Sequence, residues 1–146
     1  MSNIVQGQTT VFKVNLLSGL ENFAVGTPYT YNIALYTGNA ILNNATTAYT
    51  TANEITGAGY TAGGKPLTIT QVPVGNTDSN TAYISFAPIV WTSASFTTRC
   101  ALIYNRSTGA SVAVLDFGSD KTNTAAGTFT ITFPTATSTT AILSIS

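Results

Sequence analysis

"FTTRCALIYNRSTGASVAVLDFG", residues 96–118, contains the two most apolar runs of the chain and the polar residues that separate them. The runs, at 96–105 and 110–118, carry β-branched and aromatic side chains, which favour extended strands. Gly109 lies between them, where a hairpin loop needs a residue with a positive φ angle. The stretch therefore predicts two strands joined as an antiparallel hairpin.

Segments of alternating or continuously apolar residues occur on both sides of this hairpin. They predict further strands at 29–37, 66–74, 81–91, 127–134 and 139–146. Pro88 ends or bulges the third of these, because proline has no N–H for the strand ladder. Several short strands at this spacing are typical of a sandwich or a barrel. We predict an all-β antiparallel β-sandwich, Ig-like or jelly-roll-like, as a single domain over residues 1–146.

One segment follows a helical period instead. In "TVFKVNLLSGLENF", residues 10–23, the apolar residues recur on one face of a helix; they are Phe12, Leu16, Leu17, Leu20 and Phe23. We therefore predict one short N-terminal helix, which Gly19 weakens. Its apolar face can cover an open end of the sandwich core or contact a neighbouring subunit. Residues 1–10 predict an extended arm, and the low-complexity residues 39–54 predict a long surface excursion.

The composition is poor in charge and rich in threonine. The chain has 28 Thr, five Lys and Arg, five Asp and Glu, and a formal net charge of zero. Nucleic-acid binding needs a basic surface, which this chain cannot build. Only 7% of residues are charged, whereas about a quarter is usual for soluble domains. We therefore expect much of the surface to contact another protein, and no nucleic acid as a partner.

The sequence contains few groups that could perform chemistry. No His is present, so the usual general base and the commonest metal ligand are missing. Nothing in the sequence brings two carboxylates together, and Cys100 within an apolar strand is expected to be buried and inert. We therefore predict no enzyme, no cofactor and no metal. The N-terminus has no signal-peptide pattern, and no apolar run is long enough to span a membrane, so we expect synthesis in a cytoplasm.

"NEITGAGYTAGGKPLTIT", residues 53–70, matches two phosphate-binding spacings. Gly57–Ala62 fits the dinucleotide fingerprint, and Gly59–Lys65 fits a P-loop without its final Ser or Thr. Both motifs require a helix after the glycines, but Pro66 and a strand-like segment follow. We therefore interpret the glycines as a loop with positive φ angles, with Tyr60 as an anchor beneath it.

The strongest strands predict the buried core. We expect it to include Leu102, Ile103, Val112, Val114, Leu115, Phe129, Ile131 and Phe133. The single Trp91 is expected in the core as well, because a tryptophan buries a large area. The alternative for Trp91 and Tyr60 is an exposed contact with a glycan.

Several blocks of the chain resemble small virion structural proteins of tailed bacteriophages, of the head decoration or cement type. They are "FKVNLLSGLENF" at 12–23, "YNIALYTGNA" at 31–40, "AYTTANEITGAGYTAGG" at 48–64, "WTSASFTTRCALIYN" at 91–105 and "AVLDFGSDK" at 113–121, and the stretches 53–64 and 101–105 are the most specific. The resemblance covers about residues 12–134 and carries no catalytic residues. It implies a structural protein, present in many copies on a virion, without distinguishing head from tail.

The leading hypothesis is a capsid decoration protein that binds the outer surface of the major capsid protein lattice, usually as a homotrimer. The alternative is a tail or fibre component whose β-sandwich binds a partner or a surface glycan. The segments with the weakest core pattern are the N-terminal residues up to Phe12 and the glycine-rich loop. We therefore expect partner contacts at Ile4, Val5, Phe12, Tyr60 and Lys65.

Overall fold

The computed structural model describes residues 3–146, which form two antiparallel β-sheets and one short helix. The elements are β1 Gly7–Gln8, α1 Thr10–Leu17, β2 Tyr31–Tyr36, β3 Lys65–Pro66, β4 Ile69–Asn76, β5 Thr81–Phe86, β6 Ile89–Asn105, β7 Ser111–Ile131 and β8 Leu143–Ile145. The larger sheet has the order β1-β7-β6-β2-β3, and the smaller one β4-β5-β8. This arrangement confirms the predicted antiparallel β-sandwich with one short N-terminal helix.

The predicted hairpin lies in the middle of the larger sheet. Its strands pair directly, with Leu102 opposite Val114 and Ile103 opposite Ala113. Gly109 closes the turn with a φ of 82°, and its N–H donates to the Asn105 carbonyl over 2.7 Å. The hairpin was predicted correctly because apolar strands and a glycine turn are local signals.

The hairpin is much longer than predicted, since the predicted strands at 110–118 and 127–134 are parts of one strand, β7. Bulges interrupt β7, and the two largest leave residues 117–120 opposite Arg99 and residues 124–126 opposite Ser95. Gly118, Ala125 and Ala126 adopt positive φ angles in these bulges. A bulge disturbs the alternation of side chains without ending the pairing, so the sequence pattern suggested two strands.

The face of the larger sheet that meets the smaller sheet forms the main core. Ile33 and Ile103 from the larger sheet are buried with Ile84 and Phe86 from the smaller one. Phe12 of α1 belongs to the same cluster. The helix therefore covers part of the sandwich interior, as the first of the two interpretations expected.

Part of the opposite face of the larger sheet, around the hairpin, is buried too. Leu102, Tyr104 and Val114 pack there against Ala40 and Leu42. The segment at 39–54 is mostly exposed and contains no helix or long strand, as predicted for a surface excursion. Ala40 and Leu42 within it nevertheless cover part of this second face, which the alternation of residues in the strands could not predict.

Most of the predicted core residues are buried. Leu102, Ile103, Val112 and Val114 are fully buried, and Leu115, Ile131 and Phe133 nearly so. Phe129 is only partly buried. It lies in the outer half of β7, which pairs with β6 on one side and forms the edge of the sheet on the other. It packs there against Trp91 and Phe96.

Helix α1 ends at Leu17, six residues before the predicted end. Thr9 caps its N-terminus by accepting the Phe12 N–H. Gly19, with a φ of 71°, follows the C-cap, and its N–H donates to the Leu16 carbonyl. Leu17 and Leu20, predicted on the buried face, are therefore exposed, by 92% and 52%.

Candidate binding surface

The carboxylate of Glu54 holds the glycine-rich segment together. It accepts the hydroxyls of Tyr49 and Tyr60, each over 2.6 Å. It also accepts the N–H of Gly63 over 2.7 Å. Three donors on one carboxylate tie both ends of the segment to a single point. We call Glu54, Tyr49, Tyr60 and Gly63 the Glu54 hub.

Further hydrogen bonds connect the Glu54 hub to the larger sheet. The Gly63 carbonyl accepts the Tyr104 hydroxyl over 2.7 Å and the Asn32 amide over 3.1 Å. The Tyr60 hydroxyl accepts the N–H of Leu35 over 3.0 Å. Tyr60 therefore anchors the loop, as predicted, and the loop is fastened to β2 and β6.

The glycines allow this segment to approach the strands closely. A Cβ atom on Gly64 would lie 1.8 Å from the Ile33 carbonyl oxygen, and one on Gly59 would lie 2.8 Å from that of Thr92. Both glycines also have positive φ angles. Strand β3, not a helix, follows the glycines. Packing against neighbouring backbone therefore accounts for the spacing that resembles phosphate-binding motifs.

Burial changes the titration of the groups around the Glu54 hub. Desolvation raises the pKa of Tyr60 far above the usual tyrosine range, and its bond to Glu54 raises it further. Desolvation likewise raises the pKa of Tyr36 far above that range, with the Glu54 charge adding to the shift. Burial, with a smaller contribution from Asp116, raises the pKa of the Cys100 thiol to about 12. Cys100 is fully buried, as predicted.

An aromatic cluster lies beside the hub. Trp91 is 1% exposed and packs against Tyr60, Phe96 and Phe129. The prediction of a core tryptophan is confirmed. Lys65 lies over the indole ring, 5.8 Å from its centroid, and its ammonium donates to the Val90 carbonyl. Trp91 and Tyr60 therefore do not form an exposed platform for a glycan.

The structure separates the five residues expected to contact a partner. Ile4 and Phe12 are buried, in the second-face cluster and in the main core respectively. Tyr60 and Lys65 are partly buried and hydrogen-bonded within the chain. Val5 alone of the five is more than half exposed.

The N-terminal segment has more internal contacts than its sequence suggested. Ile4 bridges to Leu42, and Gly7–Gln8 pairs with β7 as strand β1. Residues 1–2 of the predicted arm lie outside the described residues. Because single apolar residues in a short segment have no periodicity, the sequence offered no sign of this packing.

Three of the five acidic residues, Glu21, Glu54 and Asp116, make hydrogen bonds or an ion pair within the chain. Glu21 is buried and accepts the Tyr31 hydroxyl over 2.7 Å and the Asn105 amide over 3.0 Å. Arg99 and Asp116 form an ion pair over 3.4 Å. Among residues 3–146, no group of three or more Cys, Asp or Glu side chains is placed to hold a metal ion.

Helix α1 and strand β8 carry three of the exposed apolar side chains. Val14 and Leu17 of α1 and Ile145 of β8 are each more than half exposed. Leu17 and Ile145 line one groove together with Leu16 and Lys13. We call this surface, from α1 to β8, the helix face.

An apolar cleft adjoins the groove. It has a volume of about 110 Å³ and lies between α1 and the smaller sheet, with Phe12, Leu16, Tyr83 and Leu143 among its walls. Cleft and groove share Leu16 and Ile145, so they form one continuous surface. Ser18 and Gly19 end the helix directly after Leu17. The apolar residues keep their helical period as far as Phe23, so the sequence pattern did not show that the helix ends earlier and leaves Leu17 exposed.

Within residues 3–146 no helix has the length and apolar character needed to span a membrane. Comparisons of the chain with protein-family models, with curated proteins and with solved structures find no match.

Proposed function

We propose that this protein is a bacteriophage capsid decoration, or cement, protein, which binds the outer surface of the major capsid lattice and stabilises the head. The observation that carries the proposal is the surface: a domain with only 7% charged residues exposes Leu17 and Ile145 along one groove of the helix face. The resemblance to virion structural proteins is the reason for placing the partner of this surface on a virus particle.

The lack of charge favours contact with other proteins. A charged side chain that enters an interface loses its hydration, which costs free energy unless a partner replaces the lost water. A surface of Thr, Ser, Asn and Gly avoids most of that cost. Exposed apolar side chains such as Leu17 and Ile145 gain about 25 cal/mol for each Å² removed from water. The surface is therefore suited to burial in an assembly.

The packing of the interior suits a protein that has to keep its shape while the capsid is under mechanical stress. The half of the larger sheet around the hairpin is buried on both faces, and the Glu54 hub fastens the glycine-rich segment to strands β2 and β6. Several copies acting together would bind a lattice more tightly than one copy, since linked contacts raise the effective concentration of each other. In this proposal the protein acts as a homo-oligomer, a trimer, on the virion surface.

The test is a rescue experiment. Phage particles stripped of the protein are incubated with purified protein and then heated, and release of DNA is followed. We expect the wild-type protein to restore heat resistance and to bind assembled capsids but not free capsid subunits. Labelling of the tail alone, or glycan binding without capsid binding, would overturn the proposal in favour of a tail or fibre component.

A matched pair of variants makes the rescue specific. Leu17→Glu places a charge on the helix face, whereas Ile41→Glu places the same charge on another exposed aliphatic residue, in the segment that covers the second sheet face. We expect Leu17→Glu to weaken the rescue at least tenfold in the concentration required, and Ile41→Glu to leave it within twofold of wild type.

A further inference from the structure

We infer that the open edge of β7 binds an extended, uncharged segment of the partner protein, which joins the larger sheet as a further strand. The inference rests on the proposed function, which requires a partner, and it identifies what that partner presents. Two stretches of β7, Leu115–Phe117 and Phe129–Ile131, line one groove together with the chain that follows β7. We call these two stretches the β7 edge.

The first argument is the strand order of the larger sheet. Strand β1 pairs with β7 only at Ala113 and Val114. Among residues 3–146, no other strand lies on that side of β7. From Leu115 onward the backbone of β7 therefore has β6 on one side and no strand on the other. Backbone N–H and C=O groups along such an edge form a template for a further strand.

The second argument is a pair of glutamine side chains beside the groove. The amide oxygen of Gln6 accepts the Asp116 N–H over 3.0 Å, directly after the point where β1 stops pairing. The amide nitrogen of Gln8 donates to the Ser144 carbonyl over 2.7 Å, at the edge of the smaller sheet. Each glutamine thus bonds an edge strand through an amide, the group that a neighbouring strand would offer. A polypeptide segment carries this group at every residue, so it can replace Gln6 and continue the line of β1.

The third argument is the chemistry of the groove. It has a volume of about 440 Å³, and its walls include Phe117, Phe129 and Ile142, which are only partly buried. Alternate side chains of a strand point to the same face of a sheet. A segment with apolar residues at alternate positions would therefore cover these side chains and gain free energy by removing them from water.

Charge and shape narrow the choice of partner. Asp116 and Lys121, the two charged residues that line the groove, have opposite signs, so the groove favours an uncharged segment. The bulges bend β7 until the rings of Phe117 and Phe129 lie 6.4 Å apart. A bulged edge hinders pairing with the edge of another folded sheet, including that of a second copy. A single extended segment can follow the bend.

The first experiment measures hydrogen exchange of the backbone amides, with phage particles stripped of the protein as the probe. A strand that pairs with the β7 edge would hydrogen-bond its free amides, and hydrogen-bonded amides exchange slowly. We expect exchange at 115–117 and 129–131 to slow at least tenfold when the protein is bound to particles. The exposed segment at 39–54 is the control and should stay within twofold of the free protein.

Two results of this experiment would overturn the inference. One is unchanged exchange at the β7 edge in particle-bound protein. The other is slowing at the β7 edge in the free protein as its concentration rises, because a second copy would then be the occupant.

The second experiment compares two exposed threonines of β7. Thr130 lines the groove, whereas Thr128, two residues earlier in the same strand, does not. Thr130→Asp would place a carboxylate where the added segment removes water, which costs free energy. We expect Thr130→Asp to require at least fivefold more protein for half-saturation of stripped particles, and Thr128→Asp to stay within twofold of wild type. Equal binding by both variants would contradict the inference.

The exchange experiment separates this inference from the proposed function. If the wild type binds capsids and the β7 edge exchanges as in the free protein, the inference falls while the function stands. If the wild type binds only tails and the β7 edge is protected there, the capsid function falls while the added strand stands. If the wild type binds no part of the particle, both fall.

Discussion

The glycine-rich segment and the helix face meet their surroundings in opposite ways. The Glu54 hub gives the loop at 53–66 a hydrogen-bond partner at each of its anchoring groups, within the same chain. The helix face leaves Leu17 and Ile145 in solvent beside an apolar cleft. The segment that resembled a binding motif therefore serves the fold, and the segment that resembled an ordinary amphipathic helix is the better binding surface.

The comparison predicts that changes in the glycine-rich segment cost stability, with the largest loss at Gly64. We expect Gly64→Ala to destabilise the fold by at least about 3 kcal/mol, because its Cβ would overlap the Ile33 backbone and its φ is positive. Gly26→Ala is the matched control, since Gly26 has a φ of 74° but open space around it. We expect it to cost about 1 kcal/mol. Urea unfolding measures both, and equal losses would show that close packing does not matter at Gly64.

The charge at the centre of the hub gives the next largest effect. Glu54→Gln should cost about 2 kcal/mol, because it removes a charged acceptor from two tyrosine hydroxyls and the Gly63 N–H. Asp78→Asn, a change of the same kind at an exposed position, should stay within about 0.5 kcal/mol of wild type. If both variants unfolded at the wild-type urea concentration, the hub would not fasten the loop.

Alkaline pH should weaken the same region. Burial raises the pKa of Tyr36 in the folded protein, whereas an unfolded tyrosine titrates near 10. The folded state therefore keeps a proton that the unfolded state loses, so stability is complete below about pH 10 and falls as the pH rises above it. Each such tyrosine contributes up to about 1.4 kcal/mol for each pH unit.

Tyr36→Phe isolates one of these contributions. The variant loses the hydroxyl that donates to the Thr50 carbonyl, and with it one titrating group. We expect a plot of its unfolding free energy against pH to fall less steeply than that of wild type between pH 10 and 11. Unchanged steepness would mean that Tyr36 does not keep its proton in the folded state.

The sequence predicted the parts of the fold that depend on neighbouring residues. The hairpin around Gly109 and the start of α1 at Thr10 are such parts, because alternation, a turn glycine and a helical period act over a few positions. The Glu54 hub was not predicted, since it joins Tyr49, Tyr60 and Gly63 through side chains whose directions depend on the folded chain. The burial of Ile4 against Leu42 was missed for the same reason.

The candidate surface was predicted in part. Phe12 to Phe23 were recognised as an apolar helical stripe, and contact with a neighbouring subunit was one of its two interpretations. Two of the residues chosen for the contact, Ile4 and Phe12, are buried within the chain. A pattern of apolar residues identifies what avoids water, but the helix end at Ser18 determines which of them the domain itself can cover.

The smallest expected effect on the stability of a single chain is that of a substitution at Leu17, which lies next to Leu16 in α1. Leu16 packs against the main core, whereas Leu17 is exposed. In dilute solution, where copies are separate, Leu17→Glu should change the unfolding free energy by no more than about 0.5 kcal/mol. A glutamate is unfavourable at the C-terminal end of a helix, but Lys13, four residues earlier, offsets this by pairing with it. Leu16→Glu should cost at least about 2 kcal/mol, because it brings a charge to the edge of the core.

Urea unfolding of both variants, at several protein concentrations, measures the difference in the free energy of unfolding between Leu17→Glu and Leu16→Glu. If Leu17→Glu were as damaging as Leu16→Glu in dilute solution, Leu17 would belong to the fold of the single chain, and the contrast between the fastened loop and the open helix face would be wrong.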